Sequence, residues 1–232
     1  MNAQSSAFCA LVCSLTVGIL AFGCRTPEPP APQPAIKVTI TSDPGKAALF
    51  RGGKPIGETP QTLAVNATED LLPITATFGQ EVLVEKRIKY LNLDRVEMSF
   101  TFGAGRSAMA KVLKLPRILV FDYGAGVTFD VNRADLKPDF LPLLDQQARL
   151  LNGPFSALEV HLCGHTDSQG TNDFNLALSL DRARAVAGRL EAQGVPKNRL
   201  KSEGFGSAYP VAGNDTESGR SLNRRTELIL PQ

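Results

Sequence analysis

The chain has 232 residues, of which 43% are hydrophobic and 21% charged, values typical of soluble globular protein with one or two domains. Its 25 basic and 23 acidic residues give a net charge of +2, so the charge offers no electrostatic case for a nucleic-acid partner. Three of the four cysteines lie in the first 24 residues, and this distribution excludes a disulfide framework.

The N-terminus has the pattern of a signal sequence. Residues 1–23 carry no charged side chain, and Ala7 to Phe22 is nearly continuously apolar. A run of roughly 16 residues suits the core of a signal peptide better than a membrane span of about 20. It ends in Leu-Ala-Phe-Gly-Cys at Leu20–Cys24, which resembles a bacterial lipobox. The resemblance implies a signal peptide over 1–23 and lipidation of Cys24; the alternatives are an uncleaved anchor and an ordinary signal peptide.

Residues 24–35 contain five prolines, a composition that favours polyproline II and prevents a packed core. We expect a tether that reaches roughly 30 Å, at about 3.1 Å per residue, and holds the folded part away from a membrane surface.

Residues 36–102 read as short strands separated by turns. Ile36 to Ile40 alternates as a half-buried strand does, and Asp43-Pro44-Gly45 marks a turn. Further strands are predicted at Ala48–Arg51, Leu63–Val65, Leu72–Phe78, Glu81–Lys89 and Val96–Phe102. This spacing predicts a small all-β sandwich. Residues 42–47 and 56–60 resemble the PEGA domain, which implies an extracytoplasmic β module and no chemistry.

Residues 103–117 are basic, with interleaved apolar positions, and are interpreted as a linker with a solvated charged face. Residues 118–232 then alternate strand and helix. The predicted elements are a strand ending at Val127–Phe129, a helix over Pro138–Leu151, a strand over Leu158–Cys163, a helix from Thr171 or Asn172 to about Gln193, and strands over Leu200–Phe205 and Thr226–Leu230. The order β-α-β-α-β-β predicts a two-layer α/β fold with helices on one face of the sheet.

The segment Gly164–Arg182 is the most informative about function. Asp167 lies in a glycine-containing turn after an apolar strand, and Asn175, Leu178 and Arg182 recur at steps of three and four. On a helix this spacing forms one stripe, which would point back toward Asp167. A carboxylate and a guanidinium around one cleft suit a ligand that carries both an amine and a carboxylate.

This segment resembles the peptidoglycan-binding domain shared by OmpA, the peptidoglycan-associated lipoprotein and MotB proteins. The resemblance extends over about half the chain, through residues 127–130, 134–138, 203–206, 209–212 and 219–227. It implies non-catalytic binding of the diaminopimelate of a peptidoglycan stem peptide, with Asp167 and Arg182 as the principal ligands. The other positions that it assigns to the cleft are Phe129, Asp130, Thr171, Asn175, Leu178 and Arg225.

Each position also has a structural interpretation. Asp167 could cap its own turn, Arg182 could pair with Asp181, and Arg225 could be structural. His161, Cys163 and His165 share one strand face and could bind zinc, although no metal or other cofactor is expected. Asp167 and Asp173 could form a glycosidase pair, but both lie in one short loop.

The sequence therefore predicts a lipid-anchored envelope protein that tethers the outer membrane to the wall from its periplasmic face. The expected partners are peptidoglycan, the membrane that holds lipidated Cys24 and further envelope proteins. The alternative is an interaction scaffold whose β domain binds a protein or polysaccharide.

Overall fold

The computed structural model describes residues 35–124, 128–130 and 132–232. The predicted signal peptide, Cys24 and the prolines up to Pro34 lie outside the described residues. What is described belongs to one compact unit, Gln33–Gln232. No helix within those ranges is long and apolar enough to cross a bilayer.

Seven strands lie within the described residues 35–102: β1 (Ile36–Asp43), β2 (Ala48–Arg51), β3 (Lys54–Glu58), β4 (Gln61–Val65), β5 (Ile74–Thr77), β6 (Leu83–Tyr90) and β7 (Arg95–Phe102). The alternation in β1 is the one expected, since Val38 and Ile40 are fully buried whereas Thr39 and Thr41 are exposed. The strand predicted from Leu72 begins only at Ile74, because a 3₁₀ helix occupies Thr68–Leu71.

The remaining elements are α1 (Ala108–Leu113), β8 (Ile118–Gly124), α2 (Leu141–Asn152), β9 (Val160–Gly164), α3 (Asn172–Ala192), β10 (Leu200–Gly204), α4 (Glu217–Asn223) and β11 (Arg225–Pro231), with short 3₁₀ helices at Pro138–Phe140 and Lys197–Arg199. The prediction missed α4. It also placed the end of a strand at Phe129, whereas β8 ends at Gly124 and Phe129 belongs to no strand.

Helix α3 begins and ends where the sequence indicates. The Thr171 hydroxyl accepts a hydrogen bond from the backbone N–H of Phe174 at 3.3 Å, as an N-cap residue does. Gly194 follows the helix with a φ of +89°, a conformation that glycine adopts without steric cost.

The strands from both halves of the chain form one sheet of mixed direction, in the order β10-β9-β11-β8-β6-β7-β1-β4. β6 joins the halves by pairing in parallel with β8, from Glu85 opposite Ile118 to Tyr90 opposite Tyr123. A second sheet contains β3, β2 and β5. The separate all-β sandwich predicted for residues 36–102 is therefore not supported. Alternation specifies which face of a strand is buried, but it does not specify the neighbouring strand.

Helices α2 and α3 cover one face of the sheet, as predicted for the α/β part. The aromatic contacts on this face link residues of both halves: Tyr90 stacks on Tyr123 with centroids 5.5 Å apart, and Tyr123 meets the edge of Phe140 at 5.1 Å. Helix α1 lies within the predicted linker, and its Met109 packs with Ile118 and Val120 on the opposite face. The linker is thus partly a core element.

Two partly buried cations each donate to three backbone carbonyls. Lys86 donates to the carbonyls of Leu71, Leu72 and Ile74 at 2.7–2.9 Å. Arg199 donates to those of Leu151, Phe155 and Leu158 at 2.7–2.9 Å. Each side chain therefore fixes irregular backbone next to a regular element.

Helix α3 lies unusually close to the ends of β9 and β10. A Cβ added at Gly164 would be 1.9 Å from the carbonyl oxygen of Ser179, and one added at Gly204 would be 2.6 Å from the amide nitrogen of Leu180. Only glycine permits this approach, which brings the helix against the turn that follows β9.

Candidate functional site

Asp167 lies in the turn that follows β9 and is 7% exposed. Its Oδ1 accepts a hydrogen bond from the backbone N–H of Gln169 at 2.9 Å, so this oxygen does fix the turn. Its Oδ2 accepts one from Nη1 of Arg224 at 2.8 Å. The carboxylate is therefore held on both sides before any ligand approaches.

Arg182 projects from α3 and is fixed in three ways. Its Nε donates to the carbonyl of Arg133 at 3.0 Å, its Nη2 donates to the carbonyl of Asp130 at 3.3 Å, and its guanidinium carbon lies 5.2 Å from the ring centroid of Phe129. These bonds use two of its five N–H groups. Asp181 is not its partner, because that carboxylate pairs with Arg184.

Asp167 and Arg182 line one cavity of about 210 Å³. Asn175 and Leu178 line it as well, so the predicted stripe does face the turn. Asn175 also braces the turn, since its Nδ2 donates to the carbonyl of Gln169 at 2.8 Å. The sequence thus predicted a shared cavity correctly for these four positions.

The other predicted positions contribute indirectly or lie elsewhere. Phe129 is buried beneath Arg182, and Asp130 contributes its carbonyl while its carboxylate pairs with Lys137 at 3.2 Å. Thr171 caps α3 and does not line the cavity.

Arg225 does not line the cavity, and its neighbour Arg224 does. Arg225 is 3% exposed, and its Nε donates to Glu227 at 2.8 Å. Consecutive residues of an extended chain point to opposite faces, so only one of the two arginines can reach the cavity. Glu227 is the signal that could have identified Arg224. It lies two residues after Arg225 and on the same face of the strand, where it pairs with Arg225, so Arg224 points to the other face.

The charges around the cavity favour a ligand that has an anionic group with a cationic group next to it. Burial, followed by the nearby charge of Arg224, lowers the pKa of Arg182. Partial burial disfavours the charged form of Arg224, but the hydrogen bonds that it donates to Asp167 and Glu217 raise its pKa. Two guanidinium groups and one carboxylate therefore surround the space, an arrangement that suits a carboxylate with an ammonium close by.

The rival histidine and cysteine positions serve other contacts. Cys163 is fully buried, and burial raises the pKa of its thiol, whereas a zinc ligand must be a thiolate. His165 is buried and stacks on Phe205 with centroids 5.5 Å apart. Over residues 35–124, 128–130 and 132–232, no three potential ligands group in a way that could hold a metal ion.

Residues 128–224 match the OmpA family. The peptidoglycan-associated lipoprotein of Rhizobium meliloti is 33% identical over 128 residues, which cover 55% of this chain and 72% of that protein. The chain belongs to the OmpA family. The probable lipoprotein YiaD of Escherichia coli is 38% identical over 112 residues, 48% of this chain and 51% of that protein.

The chain spans about half the length of several curated OmpA-family relatives that it matches, among them YiaD. A crystal structure of the peptidoglycan-associated lipoprotein from Burkholderia pseudomallei is 32% identical, covers 45% of this chain and 87% of that chain, and superposes with a TM-score of 0.42. The resemblance of residues 36–102 to the PEGA domain stays a prediction.

Proposed function

We propose that this member of the OmpA family binds the stem peptide of peptidoglycan and thereby tethers a membrane to the wall. The observation that carries the proposal is the convergence of Asp167, Arg182 and Arg224 on one small cavity. The names of relatives, including peptidoglycan-associated lipoproteins, point to the same partner.

Diaminopimelate ends in an amine and a carboxylate on one carbon, and the cavity offers a partner for each. Among the described residues, two backbone carbonyls accept hydrogen bonds from Arg182, which leaves three of its five N–H donors for the carboxylate. Asp167 accepts the ammonium, sharing its Oδ2 with Arg224. Nη2 of Arg224 also donates to Oε1 of Glu217 at 2.5 Å, so Arg224 can turn toward the ligand carboxylate and keep one of its two partners.

Binding occurs without cleavage. Glycoside hydrolysis needs two carboxyl groups across the scissile bond, and Asp167 is the sole carboxylate among the described residues that line the cavity. Asp173 lies at the exposed start of α3 and does not line it. The site is therefore a receptor, and its residues are ligand-binding residues.

Lipidation of Cys24 supplies the other end of the tether, and residues 25–35 set the distance to the membrane. A relative named as an outer-membrane lipoprotein supports a location on the periplasmic face of the outer membrane. Replacing Cys24 with serine should release the protein from the membrane fraction; continued association after alkaline washing would contradict the anchor.

The stem-peptide site is tested by co-sedimentation with purified sacculi. Asp167→Ala and Arg182→Lys should each reduce the bound fraction at least about tenfold, since each removes a charge-assisted hydrogen bond worth about 1.5–3 kcal/mol. Lysine is chosen because it keeps a positive charge at position 182, where the side chain is buried.

Arg184→Ala and Asp181→Ala are the matched controls. Both side chains are more than half exposed on the same helix and pair only with each other at 3.7 Å. They should sediment as the wild type does. Equal sedimentation of all four variants, with unchanged unfolding temperatures, would disprove the assignment.

A further inference from the structure

A second and larger cavity, of about 570 Å³, lies on the face of the sheet opposite α2 and α3. Its volume falls within the roughly 300–1,000 Å³ of ligand sites. The floor is formed by outward side chains of β1, β7 and β6, and one wall is formed by Tyr209–Val211 and Leu222. We call this cavity the sheet groove. No part of the stem-peptide site lines it.

The floor of the sheet groove is a regular grid of polar side chains. The strand register places Thr39, Glu97 and Lys89 in one row and Thr41, Ser99 and Arg87 in the next. Side chains in a row are about 4.8 Å apart, and rows are about 6.6 Å apart. Among the described residues, no hydrogen bond occupies the hydroxyls of Thr39, Thr41, Ser99 or Thr101.

Charges in the sheet groove cancel. Four acidic residues (Asp43, Glu85, Glu97 and Asp122) and four basic residues (Arg87, Lys89, Arg106 and Arg225) line it. Most are paired: Arg87 contacts Asp122 at 2.7 Å, and Arg106 contacts Asp43 at 2.9 Å. An anionic ligand such as a phosphate or a nucleic acid would find no excess positive charge, so the groove suits an uncharged polar ligand.

Two of the charged residues that line the groove are almost fully buried. Asp122 and Arg225 are 2% and 3% exposed, and both line the groove. Oδ1 of Asp122 and Nη1 of Arg225 have no partner among the described residues. Both atoms are themselves fully buried, so the groups that a ligand in the groove can reach are the hydroxyls of the floor.

Tyr209 supplies an aromatic surface at the rim. The residue is 42% exposed, whereas Tyr90 and Tyr123 are fully buried. The residue adopts a φ of +57°, unusual for a bulky side chain, and its carbonyl accepts a hydrogen bond from Arg225 at 3.3 Å. Its ring also meets the edge of Phe205 at 5.6 Å. Such a conformation persists where surrounding contacts enforce it, often at a binding site.

We propose that the sheet groove binds an uncharged saccharide chain, with the Tyr209 ring against a sugar face and the hydroxyl grid against the sugar hydroxyls. A saccharide combines apolar C–H faces with equatorial hydroxyl and amide groups. It therefore matches a site with one aromatic wall and a neutral, hydroxyl-rich floor. The N-acetylated glycan of the wall and an unmodified glucan share this chemistry.

The proposal is tested on the full-length protein in detergent by calorimetric titration with chitotetraose, a neutral glucan oligomer, an anionic uronic-acid oligomer and a sugar-free stem peptide. The chain has three tyrosines and no tryptophan, so protection of tyrosine fluorescence from acrylamide reports on Tyr209. We expect a neutral oligosaccharide to bind with a dissociation constant below about 1 mM and to protect the fluorescence.

Tyr209→Ala and Thr41→Val should each weaken this binding about tenfold or more, whereas Tyr209→Phe should retain it, since the ring remains. Thr77→Val, the same change at an exposed position of the second sheet, is the control. Asp167→Ala should leave saccharide binding unchanged, which separates this proposal from the stem-peptide site.

Binding of chitotetraose alone would identify an N-acetylated glycan as the source, and equal binding of the glucan would identify neutral saccharides in general. Either outcome supports the site. Stronger binding of the anionic oligomer, protection of Tyr209 by the stem peptide, or no binding by any oligosaccharide at about 10 mM would overturn it.

Discussion

Replacing Gly164 with alanine tests the close approach of α3 to the sheet. The new Cβ would lie 1.9 Å from the carbonyl oxygen of Ser179, whereas ordinary contacts begin at 3.4 Å, so the helix must withdraw by about 1.5 Å. The contact is with backbone, and no side-chain rotation can relieve it. Withdrawal would loosen the packing of Ala183, Val186 and Leu190, all of which are fully buried.

Overpacking of this kind costs about 1–3 kcal/mol and occasionally more, and we expect Gly164→Ala to lie near about 3 kcal/mol. For a unit of this size, a loss of about 3 kcal/mol lowers the unfolding temperature by about 6–12 °C. Urea unfolding followed by circular dichroism gives the free energy directly. The turn that holds Asp167 should also move relative to Arg182, so binding to sacculi should weaken.

Gly188→Ala is the matched control, because it lies on the same helix and a Cβ there would meet nothing within 4 Å. It should raise stability by up to about 1 kcal/mol, since alanine is the better helix former. If Gly164→Ala unfolds within about 0.5 kcal/mol of the wild type, the argument from steric contact is wrong.

Three further predictions concern buried polar groups. Arg199→Lys should lower stability by about 2 kcal/mol in urea unfolding, because one ammonium cannot span the three carbonyls that the guanidinium reaches; an unchanged midpoint would refute this. Lys86→Met should cost about 3 kcal/mol near neutral pH, because it removes three hydrogen bonds to backbone carbonyls. Burial lowers the pKa of Lys86 from 10.5 to about 8, so the unfolded chain binds more protons than the folded chain between these pH values. The free energy of unfolding of the wild type, relative to that of Lys86→Met, should therefore rise from pH 8 toward pH 10.5. A difference that does not change with pH would contradict the shift. Cys163 is buried, and burial raises the pKa of its thiol. In the Cys24→Ser protein without its signal peptide, Cys163 should therefore react with a thiol reagent at pH 8 only after urea is added. Rapid reaction in native buffer would show that this strand is accessible.

The sequence specified the site where its geometry is local. Asn175, Leu178 and Arg182 follow one another at helical spacing, and Thr171 caps the helix that carries them, so their common direction could be read from the chain. Asp167 lies in the turn just after β9, and the short connection to α3 keeps it near the start of the helix. Four positions of the cavity were therefore predictable.

The contributions from distant segments were not predictable in the same way. Arg224 reaches Asp167 across 57 positions of sequence, and the choice between Arg224 and Arg225 depends on the exact start of β11. Element boundaries are the least certain part of such predictions. The family resemblance favoured Arg225, whereas Arg224 is the arginine that lines the cavity.

The pairing of β6 with β8 could not be predicted from the sequence for a similar reason. The pattern of each strand gives no sign of its partner: β6 is half-buried, and β8 is buried along nearly its whole length. Burial of both faces of β8 does indicate a strand inside a sheet. It does not say that the neighbour comes from the preceding half of the chain, because the energy of pairing depends on contacts that only the folded topology creates.

The union of the two halves in one sheet also determines how the protein behaves when it is cut. A fragment that begins at Ile118 would leave one side of β8 with a row of unsatisfied amide and carbonyl groups, flanked by Leu119 and Phe121. An open, apolar edge of this kind recruits strands from other molecules. Separation of residues 118–232 from the preceding half would expose this edge and favour intermolecular β-aggregation, even though all residues that line the smaller cavity would stay in one fragment.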